Sequence, residues 1–284
     1  MGVYAITGSA SGMGQQAATK LKAQGHTVIS VDVKEGDVVA DLSTREGRQA
    51  AADAVLEAAS NRLDGAVLAA GIGPTPGKDS VRRIFEVNYH GVVDMLQALR
   101  PALAAADHAK VVVVGSNSTT TTPAVPRRTV RALLSDDTDK AVRSLRLLGP
   151  VAPSLGYAAS KLAVSHWVRR TAVTPEWAGE GIRLNALAPG AIMTPLLQAQ
   201  LATPRQAKAV NGFPVPIGGF GDAAELADWM LFMLSDSADF LCGSVIFVDG
   251  GSDAYFRATD WPKSVPVRRL PSYLWRFGRF SASR

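Results

Sequence analysis

The chain has 284 residues, 47% of them apolar, a single cysteine, a formal charge of +5 and a pI of about 9.5. That size and apolar content suit one large buried core; lone Cys242 excludes an intramolecular disulfide, and no apolar run reaches the ~20 residues of a membrane span. The positive excess is confined to the end: residues 257–284 hold seven bases against one acid, Asp260, so subtracting +6 from +5 leaves −1 for residues 1–256, and no nucleic-acid partner is expected for that body.

From the start of the chain, Gly2–Thr7 reads as a buried strand, which leaves no room for a signal peptide and sets the expectation of a cytoplasmic protein. Val3–Thr7, Thr27–Val31, Ala66–Ala70, Lys110–Gly115, Ile182–Leu187 and Ser244–Val248 are short Val- and Ile-rich runs, apolar on nearly every residue, as strands covered on both faces must be. Between them, Gly14–Gln24, Thr44–Ser60, Asn88–Ala105, Tyr157–Ala178 and Asp222–Leu234 have helical period and length. The β-α-β repetition predicts an α/β fold, a doubly wound parallel sheet with right-handed crossovers, whose ligands bind at the carboxyl ends of the strands. It occupies residues 1–256, with 257–284 as a tail.

Directly after the first strand, Thr7-Gly8-Ser9-Ala10-Ser11-Gly12-Met13-Gly14 leads into an alanine-rich helix. Glycines between a strand and a helix allow a tight turn and let backbone approach a pyrophosphate at the helix N-terminus. Gly8, Ser11, Gly12, Met13 and Gly14 are therefore dinucleotide-binding candidates. Asp32 ends the second strand, where a carboxylate accepts hydrogen bonds from the adenosine ribose and repels a 2′-phosphate, which favours NAD over NADP; Lys34 is the one nearby base. Asp41 and Leu42, after a short third strand, are candidates for the adenine, and Ala70 and Gly71, after the fourth, for close approach of the cofactor.

Tyr157 and Lys161 stand four residues apart, on one face of a predicted helix. A phenol loses its proton near pH ~10, so acid–base work near neutrality calls for a neighbouring cation that lowers that value.

These pieces together resemble the short-chain dehydrogenase/reductase family over residues 1 to about 256. The nucleotide loop has its T-G-x-x-x-G-x-G form, Asn88 falls in Phe85-Glu86-Val87-Asn88-Tyr89, Ser116 closes the fifth strand, and Tyr157 with Lys161 gives Y-x-x-x-K. Asn185–Thr194 and Asp249-Gly250-Gly251 match later family segments. Asp41–Thr44, Glu46-Gly47-Arg48, Arg183-Leu184-Asn185 and Thr194–Ala199 are similar to bacterial 3α-hydroxysteroid dehydrogenase/carbonyl reductases. Two stretches depart from the pattern: Leu68-Ala69-Ala70-Gly71 lacks the usual asparagines, so a loop hydrogen bond is expected to be missing, and Gly115-Ser116-Asn117-Ser118 leaves Ser118 as an alternative to Ser116.

The resemblance implies a Rossmann-type fold and hydride transfer between NAD and a carbinol or carbonyl carbon. Tyr157 would give or take the proton, Lys161 would lower its pKa and reach the nicotinamide ribose, Ser116 would hydrogen-bond the substrate oxygen, and Asn88 would position a water. Ile192 and Thr194 match the positions that hold the carboxamide. Met193, Leu196, Leu197, Phe213 and Ile217 are expected to line an apolar pocket for a hydrophobic alcohol, steroid-like in size. No metal is implied.

Ser116 and Tyr157 are 41 positions apart, so about residues 119–150 form an insertion before the Tyr helix. Val130, Leu133 and Leu134, then Val142, Leu145 and Leu148, predict one or two short helices, with Arg127, Arg128, Arg131, Lys140, Arg143 and Arg146 on a solvated face. In the similar carbonyl reductases such an insertion disturbs the family's tetramer interface, which implies a homo-oligomer, a dimer before a tetramer. The tail interleaves its bases with Trp261, Tyr273, Trp275, Phe277 and Phe280, a mixture suited first to packing on a neighbouring subunit, then to peripheral membrane contact, and last to a disordered appendage. Pro262, Pro266 and Pro271 oppose one continuous amphipathic helix there.

Overall fold

The computed structural model describes residues 1–75, 77 and 79–280. The first half alternates β1 (Val3–Thr7), α1 (Gly12–Ala23), β2 (Thr27–Asp32), β3 (Val38–Val39), α2 (Arg45–Ala58), β4 (Gly65–Leu68), α3 (Ser80–Phe85), α4 (Gly91–Ala104) and β5 (Lys110–Val114). The insertion supplies α5 (Ser118–Thr121), α6 (Arg127–Leu133) and α7 (Thr138–Leu145) ahead of the Tyr helix α8 (Ala152–Thr171). Then come β6 (Arg183–Pro189), β7 (Ile192–Met193), α9 (Pro195–Leu201), α10 (Pro204–Asn211), β8 (Gly221–Asp222), α11 (Ala223–Leu234), β9 (Val245–Val248), α12 (Ser252–Arg257) and α13 (Leu270–Arg279).

Seven strands form one parallel sheet in the order β3-β2-β1-β4-β5-β6-β9, and β7 pairs with β8 apart from it. Ala5 lies between Ile29 and Ala66, and Val112 between Val67 and Asn185. The order reverses at β1 and β4, so the crevice above their carboxyl ends is where such a sheet binds ligands. One face is covered by α2, α4 and α8 through Val55, Leu96, Leu99 and Val164, and the other by α1 and α11 through Leu21, Leu226 and Met230. Each of these larger side chains, removed from water, contributes about 1.5–3 kcal/mol.

Two helices differ from the sequence reading. The Tyr helix begins at Ala152, five residues early, because Pro153 falls in its first turn, where no amide is needed. It ends at Thr171, and Pro175 opens a separate turn, Pro175–Gly179, in place of the expected continuation to Ala178. The predicted start at Asn88 is instead a π-helical turn, Glu86–His90, between α3 and α4. Such turns arise where a helix carries one extra residue, and they often mark functional positions.

The insertion is part of the core. Leu133 and Leu145 are fully buried, Val130 nearly so, and all six predicted surface bases are exposed. In the tail, α13 accommodates Pro271 at its second position, so that proline starts a helix rather than breaking one; Pro262 and Pro266 precede it. We expect Leu145→Ala to lower stability by about 2–5 kcal/mol while denaturant unfolding keeps a single transition. A second transition would show the insertion to be an independent unit.

Candidate active site

Gly8 leaves β1 with φ +71°, and a Cβ there would lie 2.6 Å from the Ala70 nitrogen. A Cβ on Gly14 would lie 2.3 Å from the Gly8 carbonyl oxygen. Only glycines let the turns after β1 and β4 and the start of α1 meet this closely. Ser11 caps α1 without a side-chain bond, and no acid lies in the first turn, so the positive end of this helix is free to face an anion. The buried Ser9 hydroxyl has no partner beside it.

This turn forms one wall of a cavity of about 370 Å³. Gly8, Ser11, Gly12, Met13 and Gly14 line it together with Asp32, Asp41, Leu42, Ala70, Gly71 and Thr194, and Lys34 and Arg83 are its basic members. Asp32 is fixed by two backbone donors, its Oδ2 accepting from Ala10 N–H at 3.1 Å and its Oδ1 from Lys34 N–H at 3.0 Å. Asp41 accepts from Ser43 N–H at 2.9 Å, and that bond holds its carboxyl below the usual range. Leu42 is buried, and its carbonyl accepts from Arg48 Nη1 at 3.1 Å. Arg48 is itself buried and bonds Glu86 at 3.1 Å and Asp94 at 2.7 Å, so one guanidinium ties the loop after β3 to the π turn and α4. The sequence reading gave Arg48 no such part; an arginine three residues into a helix carries no signal of where its fork will point.

The second half of the site lies where β5 ends. α8 sets Tyr157 and Lys161 one turn apart, and Ser116, two residues beyond β5, lines the same cavity as both. Lys161 is buried, and its Nζ donates to the Val114 carbonyl at 2.8 Å. Burial pulls the Lys161 ammonium down to about 8. Burial also raises the Tyr157 phenol, with the nearby Ser116 hydroxyl opposing it. Lys161, engaged by the Val114 carbonyl and itself desolvated, does not offset the burial of the phenol in this arrangement.

Asn88 does what the missing loop asparagines would have done. Its Oδ1 accepts from Ile72 N–H at 2.9 Å and its Nδ2 donates to Ile72 carbonyl at 3.0 Å, while Ala70 N–H bonds the Thr7 hydroxyl at 3.2 Å. The loop hydrogen bond expected to be lost is supplied from the π turn. A Cβ added to Gly71 would sit 3.3 Å from Asn88 Oδ1 and 3.6 Å from Lys161 Nζ, which places both polar groups around one glycine.

A cavity of about 530 Å³ opens beyond Tyr157 and Lys161, walled by Ile72, Leu196, Leu197, Val210 and Phe213, with Ser118, Thr121 and Gln200 as polar members. It joins the first cavity at Met13, Gly71 and Thr194. Ile192 lines it from β7, and Thr194 caps α9 by accepting from Leu197 N–H at 3.4 Å. Two expected wall residues are not there. Met193 is exposed because it alternates with Ile192 along β7, and Ile217, 83% exposed, packs toward Gly250. Ser116, not Ser118, meets Tyr157; Ser118 donates its backbone N–H to the Ser116 hydroxyl at 3.1 Å, and its own hydroxyl has no partner. Asn117, which the sequence reading passed over, bonds Asp249 at 3.4 Å and ties the Ser116 loop to the turn after β9. Cys242 donates to the Ala172 carbonyl at 3.2 Å, and burial raises its thiol, as a structural cysteine requires.

Fold and site together define the class, Rossmann-type oxidoreductases. A family model described as short chain dehydrogenase matches residues 3–126, and one described as enoyl-(acyl carrier protein) reductase matches residues 142–253. The 3-alpha-hydroxysteroid dehydrogenase/carbonyl reductase of Comamonas testosteroni is 35% identical over 261 residues, covering 92% of this chain and 100% of that protein. Cyclopentanol dehydrogenase of Comamonas sp. is 31% identical, over 89% and 97% of the two chains. The crystal structure of the 3-alpha-hydroxysteroid dehydrogenase from Pseudomonas sp. B-0831, complexed with NADH, superposes with a TM-score of 0.84 at 42% identity, covering 90% of this chain and 99% of that one. The chain belongs to the short-chain dehydrogenase/reductase family.

Lys161 gives stability a pH signature. The unfolded chain keeps this proton to about 10.5 and the folded one only to about 8. Between these values the unfolded state holds more protons, so unfolding free energy rises with pH, by up to about 3 kcal/mol over the window. Relative to Lys161→Met, the wild-type chain should gain stability from pH 8 to 10 in urea titrations. Parallel curves would show that the buried amine titrates normally.

Proposed function

We propose that this chain is a cytoplasmic NAD-dependent dehydrogenase that interconverts a hydrophobic secondary alcohol, steroid-like in size, and its ketone. The observation that carries the reading is that Ser116, Tyr157 and Lys161 line one apolar cavity, which shares Met13, Gly71 and Thr194 with the glycine-walled one. The Gly8 and Gly14 contacts, the open N-terminus of α1 and the fixed carboxylate of Asp32 fit a dinucleotide without a 2′-phosphate.

NAD, when bound, would supply the hydride-transfer chemistry. Ser116 orients the substrate oxygen and stabilises negative charge as it develops. Tyr157 would donate its proton to that oxygen in the reductive direction and, as a phenolate that has passed its own proton to Lys161, would take the alcohol proton in the oxidative one. Lys161, titrating at about 8, relays the proton inward, with Asn88 holding the loop and a water on its far side. Gly8, Ser11–Gly14, Asp32, Asp41, Leu42, Ala70, Gly71, Ile192 and Thr194 hold the cofactor. Ile72, Leu196, Leu197 and Phe213 exclude water and favour an apolar ring skeleton.

The reading includes a dimer. α6 and α7 pack against α8, covering a helix face, while α11 leaves Trp229 and Phe232 exposed in an edge-to-face pair, and β9 is an open sheet edge. In sedimentation velocity, Trp229→Glu with Phe232→Glu should yield monomer where wild type is dimer.

Tyr157→Phe should lose roughly 10²–10⁴-fold in turnover with NADH affinity unchanged, as read by NADH fluorescence titration. A near-normal rate would sink the assignment. A panel of hydroxysteroids, alicyclic ketones and aldoses followed at the NADH absorbance should rank the bulky apolar compounds first; preference for aldoses would reject the substrate class.

A further inference from the structure

The tail is left unused by everything described so far. After α12, residues 258–280 are exposed throughout, and the family models end at residue 253. Within it, α13 carries Leu270, Tyr273, Leu274 and Phe277 at i, i+3, i+4 and i+7, each about half exposed or more, while Trp275 falls on the opposite side. Arg269, Arg276 and Arg279 occupy the other side, and the Arg279 guanidinium lies 5.0 Å from the Trp275 ring. An apolar stripe opposed by arginines on a short helix is the pattern of a segment that lies in a membrane interface.

The charge says which surface would receive it. The single acid of the tail, Asp260, is already paired with Lys263 at 3.6 Å. Among the described residues no carboxylate pairs with Arg268, Arg269, Arg276 or Arg279. A second copy of this chain offers a body of net −1 against a tail of +6, a poor electrostatic match. Anionic phospholipid headgroups match it, and Trp and Tyr favour the headgroup level.

The root of the tail also lies beside the mouth of the apolar cavity. α12 packs on α5, Phe256 meets Phe213 with ring centroids 5.7 Å apart, and Phe213 and Thr121 line the cavity. Tyr255, 65% exposed, and Ile217 extend apolar surface outward from the same place. We propose that residues 257–280 are a docking arm for an anionic phospholipid surface, bound through the apolar stripe of α13 and its flanking arginines. That the arm thereby holds the cavity mouth toward the source of an apolar substrate rests on the reading of the site above; the arm itself does not.

The test uses the full chain with vesicles of phosphatidylcholine alone or with phosphatidylglycerol, in co-sedimentation at low and high salt. Binding is expected to the phosphatidylglycerol vesicles, to fall at least tenfold at high salt, and to be absent from neutral vesicles. Arg268→Ala, Arg269→Ala, Arg276→Ala and Arg279→Ala combined should abolish it, and Phe277→Glu alone should lower it at least tenfold. Both variants should keep the wild-type melting temperature, subunit mass and turnover of a water-soluble secondary alcohol. No binding by the full chain, equal binding to both vesicle types, or a changed subunit mass in either variant would overturn the proposal, the last by showing that the arm packs between subunits. A chain that binds these vesicles but turns over no alcohol upholds the arm and rejects the enzymatic reading.

Discussion

The hydrogen bond from the Lys161 ammonium to the Val114 carbonyl is the interaction on which the site is built. It joins the middle of α8 to the end of β5, a strand inside the sheet, and so fixes how far along the sheet edge the helix can lie. Tyr157, one turn earlier, is thereby set opposite Ser116, which leaves the same strand two residues later. A buried ammonium is expensive to keep, and burial accordingly pulls its pKa down to about 8. The chain tolerates a costly group at its centre because one placement there positions two others.

A second fastening works from the opposite side. Asn88, in the π turn, grips both backbone groups of Ile72, and Arg48 binds Glu86 in that turn together with the Leu42 carbonyl. The loops after β3 and β4, which line the glycine-walled cavity, are thus held in part through side chains from helices. This explains how Ala69-Ala70-Gly71 can be small and featureless. Their lack of polar side chains leaves room for a ligand, and their order is imposed from behind.

Much of this was legible in the residues alone. Strands such as Lys110–Val114 and Val3–Thr7 announce themselves because a sheet buried on both faces demands unbroken apolar runs, and Thr7–Gly14 because the turn demands glycine. Tyr157 and Lys161 followed from helical spacing. What could not be read was anything set by tertiary direction. Arg48 looks like any surface helix arginine, Asn117 like any loop asparagine, and Met193 and Ile217 like good wall residues until strand alternation and the Gly250 contact turn them outward. Helix ends misled where proline acts by position, since Pro153 and Pro271 begin helices that composition alone would interrupt.

The π turn at Glu86–His90 carries a consequence for how this family member can vary. It accommodates one residue more than an α-helix of the same span, and each helical residue rotates its side chain by about 100°. Loss of any single residue there would let the backbone relax into ordinary helix and swing Asn88 away from Ile72, undoing the loop without touching the core. Length changes between α3 and α4 are thus forbidden by geometry, whereas the exposed segment between α12 and α13 can lengthen or shorten freely. Related chains should show gaps in the second place and none in the first.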